Sequence, residues 1–295
     1  MLEWLAMGQD LKDVVQGALS AAKGEVLAGR LGAAREICAK ILHLDSNQAL
    51  AHRLVVESYR REGLNGEAVQ AARAYSAVCP EDPDAWFTVG DAQLRYGALA
   101  QAEAAYGRGL ELQPGHEGAG ANLALVYMRQ GELGAAVELA ESLVVQHASS
   151  VAGWRVLGAI ALSLSRFERA VEAHESLVRL APEEAAGWVG LGLARKNLGT
   201  LEAAYHAFDH ALAIEPANAV ALFGRYLALP IVHDTEAGIR DARQAFGEGL
   251  DAVEKALVLT SAEGRAGALE ACLSMTNFYL HYQGYNDLEL QQRYG

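Results

Sequence analysis

Ten charged side chains fall on the exposed columns of the first helix in the repeat units set out below: Arg53, Glu57, Arg60, Arg61, Asp84, Asp91, Arg95, Arg129, Arg155 and Lys196. Seven of the ten are basic, in a chain whose formal net charge is −13. An arginine guanidinium meets a carboxylate as a planar two-pronged donor. A basic wall in an acidic protein draws acidic or phosphate-bearing peptides. Arg60, Asp91, Arg95, Asn122, Arg129, Arg155, Lys196 and Asn197 therefore read as binding residues. Arg95, Arg129 and Arg155 read as successive contacts for one extended chain. The competing reading is that these charges only keep one helical face in water.

Other chemistry is weakly represented. His206 and His210 stand four apart with Asp209 between them, half of a metal site with no third ligand at suitable spacing. Gly190-Leu-Gly192 has the look of a dinucleotide loop but follows no strand pattern. No elbow motif organises a Ser-His-Asp triad. The expectation is no catalytic residue, no metal and no cofactor. Cys38, Cys79 and Cys272 form no CxxC pair and read as reduced thiols, which suits the cytoplasm. The acidic balance argues against nucleic acid as a partner. No apolar run is long enough for a membrane span, and the first ten residues lack the basic start of a secretory signal.

The elements that would position the charges are set by a repeat. From about residue 15 to 218 the chain returns to itself every 34 residues. One column reads Ala22, Val56, Gly90, Ala124, Gly158 and Gly192. Another is wholly alanine: Ala34, Ala68, Ala102, Ala136, Ala170 and Ala204. Trp86, Trp154 and Trp188 share a third, Pro80, Pro114, Pro182 and Pro216 a fourth, and Gly29, Gly63, Gly97, Gly131 and Gly199 a fifth. Within one unit, Trp86, Phe87, Val89 and Leu94 fall at helical spacing, as do Ala102, Ala105, Tyr106 and Leu110. A turn glycine lies between the two helices and a proline follows the second. Small residues at Gly90, Gly158 and Gly192 let the paired helices approach, with the tryptophans packing nearby. One helix pair cannot bury its own apolar face, so neighbours must stack. The fold class is all-α.

Outside the repeats, residues 1–14 read as an amphipathic capping helix with Leu2, Leu5 and Trp4 over the first unit. Residues 219–295 read as a helical extension. Ala219 to Leu229 begins like a further first helix, and Pro230 stops it. One long helix spans 234–259, Ser261 caps another running to about Gln283, and Asn286 with Glu289 opens a short last one. That last helix suggests a chain cut at a domain boundary.

The period and the W-x-x-L-G…A…P order resemble the tetratricopeptide repeat. The resemblance implies a right-handed solenoid of about six helix–turn–helix units over 15–218, a protein- or peptide-binding scaffold whose concave wall is made by the first helix of each pair. The tail carries a second resemblance. Leu229-Pro-Ile-Val232, the helix with Arg243 and Phe246, Asn277-Phe-Tyr-Leu-His-Tyr-Gln283 and Leu290-Gln-Gln-Arg-Tyr294 are similar to the connector of bacterial Spindly-type O-GlcNAc transferase-like proteins. This implies the substrate-selecting arm of a protein glycosyltransferase, with His281 and Tyr282 against a catalytic domain that is not in this sequence. In eukaryotic O-GlcNAc transferases an asparagine ladder grips the substrate backbone. The matching column here reads Ser20, Leu54, Thr88, Asn122, Val156 and Gly190, so only Asn122 corresponds. A free-standing adaptor remains the alternative.

Overall fold

The computed structural model describes residues 10–230, 232–274, 280 and 283–294. Leu2, Trp4 and Leu5 of the expected capping helix lie outside the described residues, as do His281 and Tyr282. Every element among the described residues is helical.

The chain divides into two compact units, Met1–His147 and Ala148–Gly295. The first holds four antiparallel pairs: α1 (Leu11–Leu27) with α2 (Leu31–Leu44), α3 (Ala49–Arg61) with α4 (Asn65–Val78), α5 (Pro83–Tyr96) with α6 (Leu99–Leu112), and α7 (Glu117–Gln130) with α8 (Leu133–Gln146). Asp10 caps α1 by accepting from the Lys12 amide at 3.0 Å, so residues 11–14 are the first turn of the opening repeat helix. The second unit holds α9 (Val151–Ser163) with α10 (Phe167–Leu180) and α11 (Ala185–Asn197) with α12 (Leu201–Ile214). There follow α13 (Ala219–Tyr226), α14 (Glu236–Ala256), α15 (Ala262–Ser274) and α16 (Leu288–Tyr294).

The repeat columns have distinct mechanical roles. The alanine column is buried to 3% exposure or less in all six pairs. Each tryptophan indole donates to a carbonyl six residues earlier, Trp86 to Pro80, Trp154 to Ala148 and Trp188 to Pro182, all at 2.8 Å. The indole thus fastens the loop that enters each pair while its ring stays half-buried. The turn column holds φ between +74° and +86° at its five glycines. In the remaining repeat the position is Ser165, at φ +55°. It is the one non-glycine with positive φ among the described residues.

The glycine column answers to a second column that the sequence reading missed. A Cβ added at Gly90 would lie 2.6 Å from the Tyr106 ring, at Gly158 2.7 Å from His174, and at Gly192 2.5 Å from Phe208. The same large rings also fill the space beside the next first helix, where His174 meets Gly190 and Phe208 meets Gly224. Where the first column carries Ala22, Val56 or Ala124, the ring position is Cys38, Ala72 or Ala140. A ring therefore stands only where the facing position is glycine, because a Cβ there would collide with it.

The extension departs from expectation in its details. α13 stops at Tyr226, four residues before Pro230. The long helix spans Glu236–Ala256, inside the expected limits. Ser261 does cap α15, accepting from the Gly264 amide at 2.9 Å; the helix is described as far as Ser274, and residues 275–279, which would carry it on towards Gln283, lie outside the described residues. Asn286 accepts from the Leu288 amide at 3.0 Å to open α16. Arg243 ties the extension together: it donates to Asp287 at 2.6 Å, to the Gln283 amide oxygen at 3.2 Å and to the Asn286 carbonyl at 3.0 Å. The Tyr294 ring lies 5.9 Å from that of Phe223 and 6.4 Å from that of Phe246, joining α16 to the apolar end of the repeats.

Candidate peptide-binding face

The first helix of each pair carries the charged residues singled out above. In the first unit, α3 and α5 bound a cleft of about 470 Å³. Its apolar floor includes Leu50, Leu54 and Val56, and Arg53, Glu57, Arg60, Asp91 and Arg95 stand around it.

Most of these charges already have partners. Arg53 pairs with Asp84 at 3.2 Å, both half exposed. Glu57 accepts from Arg60 at 2.5 Å and from Arg61 at 2.7 Å. The Arg60 hydrogen bond holds the Glu57 carboxyl below its ordinary range. Asp91 accepts from the Tyr106 hydroxyl at 2.5 Å and from the Asn122 amide at 2.9 Å. Burial, with Asp91 beside it, pushes the Tyr106 phenol far up. Asp91 and Asn122 are thus joined, and part of their hydrogen-bonding capacity is spent holding one repeat to the next. Arg129 donates to the Leu94 carbonyl at 3.4 Å. Arg95 is exposed and, among the described residues, makes no hydrogen bond or ion pair.

The second unit treats its members differently. Arg155 donates to both oxygens of Glu184 at 2.7 Å, so its charge is matched from the next helix pair. Lys196 is half-buried, donates to the Ser274 carbonyl at 3.3 Å, and burial pushes its ammonium pKa down. Asn197 donates to the Leu193 carbonyl of its own helix at 2.8 Å. Arg53, Arg60 and Arg155 are thus matched by carboxylates, Arg129 and Lys196 meet backbone carbonyls, and Arg95 stands open. The partners escaped the sequence reading because they come from other repeats, 31 residues away for Arg53 and 29 for Arg155.

His206 and His210 are exposed, and His210 stacks on Trp188 with ring centroids 4.3 Å apart. No cluster of potential metal ligands occurs among the described residues, and no described helix is long and apolar enough to cross a membrane.

The family model of the tetratricopeptide repeat matches residues 56–117, 121–185 and 160–221, more than half of the chain. The chain belongs to the tetratricopeptide repeat family. Among solved structures, the APC/C hetero-tetramer Cut9-Hcn1 matches with a TM-score of 0.63 at 17% identity, over 85% of this chain and 48% of that one. PilW, a widely conserved type IV pilus biogenesis factor, matches with a TM-score of 0.60 at 17% identity, over 69% of this chain and 94% of that one. YrrB, a tetratricopeptide protein with an unusual peptide-binding site, matches with a TM-score of 0.50 at 18% identity, over 69% and 98%. At such identities the likeness is one of fold, and this chain spans about half the length of the Cut9-Hcn1 chain. No curated protein matches the sequence. Tetratricopeptide repeats build extended surfaces from stacked helix pairs, and this protein presents such a surface within each unit.

Proposed function

We propose that this tetratricopeptide protein is a non-catalytic scaffold that holds an acidic, extended peptide on the first-helix face of its first unit. The observation that carries the reading is the α3–α5 cleft with Arg95 open beside it. An apolar floor next to an uncommitted guanidinium suits a peptide that offers an apolar side chain and a neighbouring carboxylate or phosphate. The other arginines around the cleft are held by acidic neighbours, which fixes their geometry and leaves Arg95 to meet an incoming anion. An arginine–carboxylate bond formed there contributes about 1.5–3 kcal/mol if desolvated and about 0–1 kcal/mol if it stays in water. YrrB, which shares the fold, offers a precedent for peptide capture.

The test is fluorescence anisotropy with matched peptides of alternating Leu and Glu, Leu and Gln, or Leu and Lys. The acidic peptide is expected to bind and to weaken between 0.1 M and 1 M salt, as the Debye length falls from about 10 Å to about 3 Å. Equal binding of all three, or none, contradicts the reading.

The tail supports a narrower form, the substrate-selecting arm of a Spindly-type, O-GlcNAc transferase-like bacterial protein acting in the cytoplasm. Arg243, Phe246, Gln283 and Tyr294, which carry that resemblance, converge in one folded cap. Residues 1–295 then neither transfer from nor hydrolyse a nucleotide sugar. Saturable transfer by the repurified protein overturns this. The coding sequence after codon 295 separates the arm from a free-standing adaptor.

A further inference from the structure

We propose that a cleft between α12, α13 and α14 binds a small carboxylic acid with an apolar tail, its carboxylate on Arg225. The cleft exists because α13 stops early. The first helices of the six repeats run 13 residues or more, and α13 has 8. Pro230 accounts for the stop. In a continued helix its ring would strike the Tyr226 carbonyl four residues back, and the residue before a proline avoids helical geometry. α14 closes on the end of α13 at Gly249, where a Cβ would collide with the Tyr226 carbonyl oxygen. A space of about 410 Å³ remains between the three helices, within the range that small-molecule sites occupy. It lies wholly within the second unit and does not depend on the acidic-peptide reading.

Tyr205, Tyr226, Leu229 and Phe246 give the cleft apolar and aromatic walls, and its two charged side chains are Arg225 and Glu248. Arg225 is held in place. Its Nε donates to Asp209 at 2.8 Å, and its guanidinium carbon lies 5.1 Å from the ring centre of Tyr205 and 5.4 Å from that of Tyr226. The Tyr205 ring is fixed in turn by its hydroxyl, which donates to the Ala228 carbonyl at 3.2 Å. Among the described residues the two terminal amino groups of the Arg225 guanidinium make no hydrogen bond. They are the pair of parallel donors that a carboxylate meets with both oxygens. A guanidinium already ordered loses less freedom when it binds. The surroundings limit the ligand to a single negative charge. Asp209 offsets part of the Arg225 charge, and Glu248 repels a second anionic group. A phosphate or a dicarboxylate is thereby disfavoured, and a monocarboxylate with its tail towards Leu229 and Phe246 fits.

The probes are octanoate, octanamide and octylamine, which share a tail and differ in the head group, titrated calorimetrically into the full chain below their aggregation concentrations. Octanoate should bind saturably and at least about tenfold tighter than octanamide, the margin a charge-assisted hydrogen bond supplies, and octylamine should bind weakest. Arg225→Gln should erase the preference for octanoate over octanamide. Ala245 lines the cleft from an exposed position on α14, so Ala245→Phe should block octanoate while helicity and melting stay as in the parent. Binding of the Leu–Glu peptide should be unchanged in both variants, which separates this site from the first-unit cleft. If Arg225→Gln fails to fold, the three head groups on the parent and Ala245→Phe decide. No saturable octanoate binding, equal affinity for octanoate and octanamide, or octanoate binding that survives Ala245→Phe overturns the proposal.

Discussion

At the scale of single residues, two positions break the pattern of their columns, and each has a measurable consequence. Ser165 takes the left-handed turn conformation that its column otherwise gives to glycine. A side chain there costs about 1 kcal/mol against the same turn made by glycine. Ser165→Gly is expected to stabilise the protein by about 0.5–1 kcal/mol, net of the freer unfolded chain. Urea denaturation checks this, and an unchanged or lower midpoint contradicts it. His174 occupies the ring position that Phe208 fills in the following pair, and among the described residues neither of its nitrogens has a hydrogen-bond partner. Burial lowers its pKa from 6.5 to about 4. The unfolded chain therefore takes up a proton below pH 6.5 that the folded chain refuses until about pH 4. Stability is full above pH 6.5 and falls as pH drops through that window, by about 2 kcal/mol between pH 7 and pH 5. His174→Phe should remove this loss, so the gap between variant and parent widens as pH falls. Parallel stability curves from pH 7 to 5 contradict it.

At the scale of helices, the repeat period was plain in the sequence because its columns carry residues with strict steric duties. Ala34, Ala68 and their successors are buried in every pair, and the left-handed turns favour glycine. The ring column was legible too, as a 16-residue step from Gly158 to His174 to Gly190 and from Gly192 to Phe208 to Gly224. It hides in the sequence because the ring position varies between Tyr106, His174 and Phe208 and is Cys38, Ala72 or Ala140 elsewhere. The close Gly158–His174 contact predicts that Gly158→Leu costs about 1–3 kcal/mol by overpacking. A thermal melt indistinguishable from that of the parent would contradict it. The docking of α15 was not legible at all. Its contact face is Gly267 and Ala271, which leaves no apolar stripe to find, and its exposed leucines mimic one on the wrong side. Lys196 looked like a free groove cation for the same reason.

At the scale of the molecule, a formal charge of −13 coexists with a first-unit cleft in which an open arginine adjoins an apolar floor. The sequence showed where arginines cluster. It could not show that Glu57, Asp84 and Glu184 fold back upon them, because two of those pairings join different repeats. The reading of this protein as an acidic-peptide scaffold thus rests on Arg95 far more than on the count of basic residues. Charge reversal at that residue tests it most directly. Affinity for the Leu–Glu and Leu–Lys peptides should be measured on the parent and on Arg95→Glu, at low and high salt. The account predicts that Arg95→Glu loses the acidic peptide by tenfold or more, gains the basic one, and that both changes shrink at high salt. Unchanged affinities for both peptides in Arg95→Glu would contradict it.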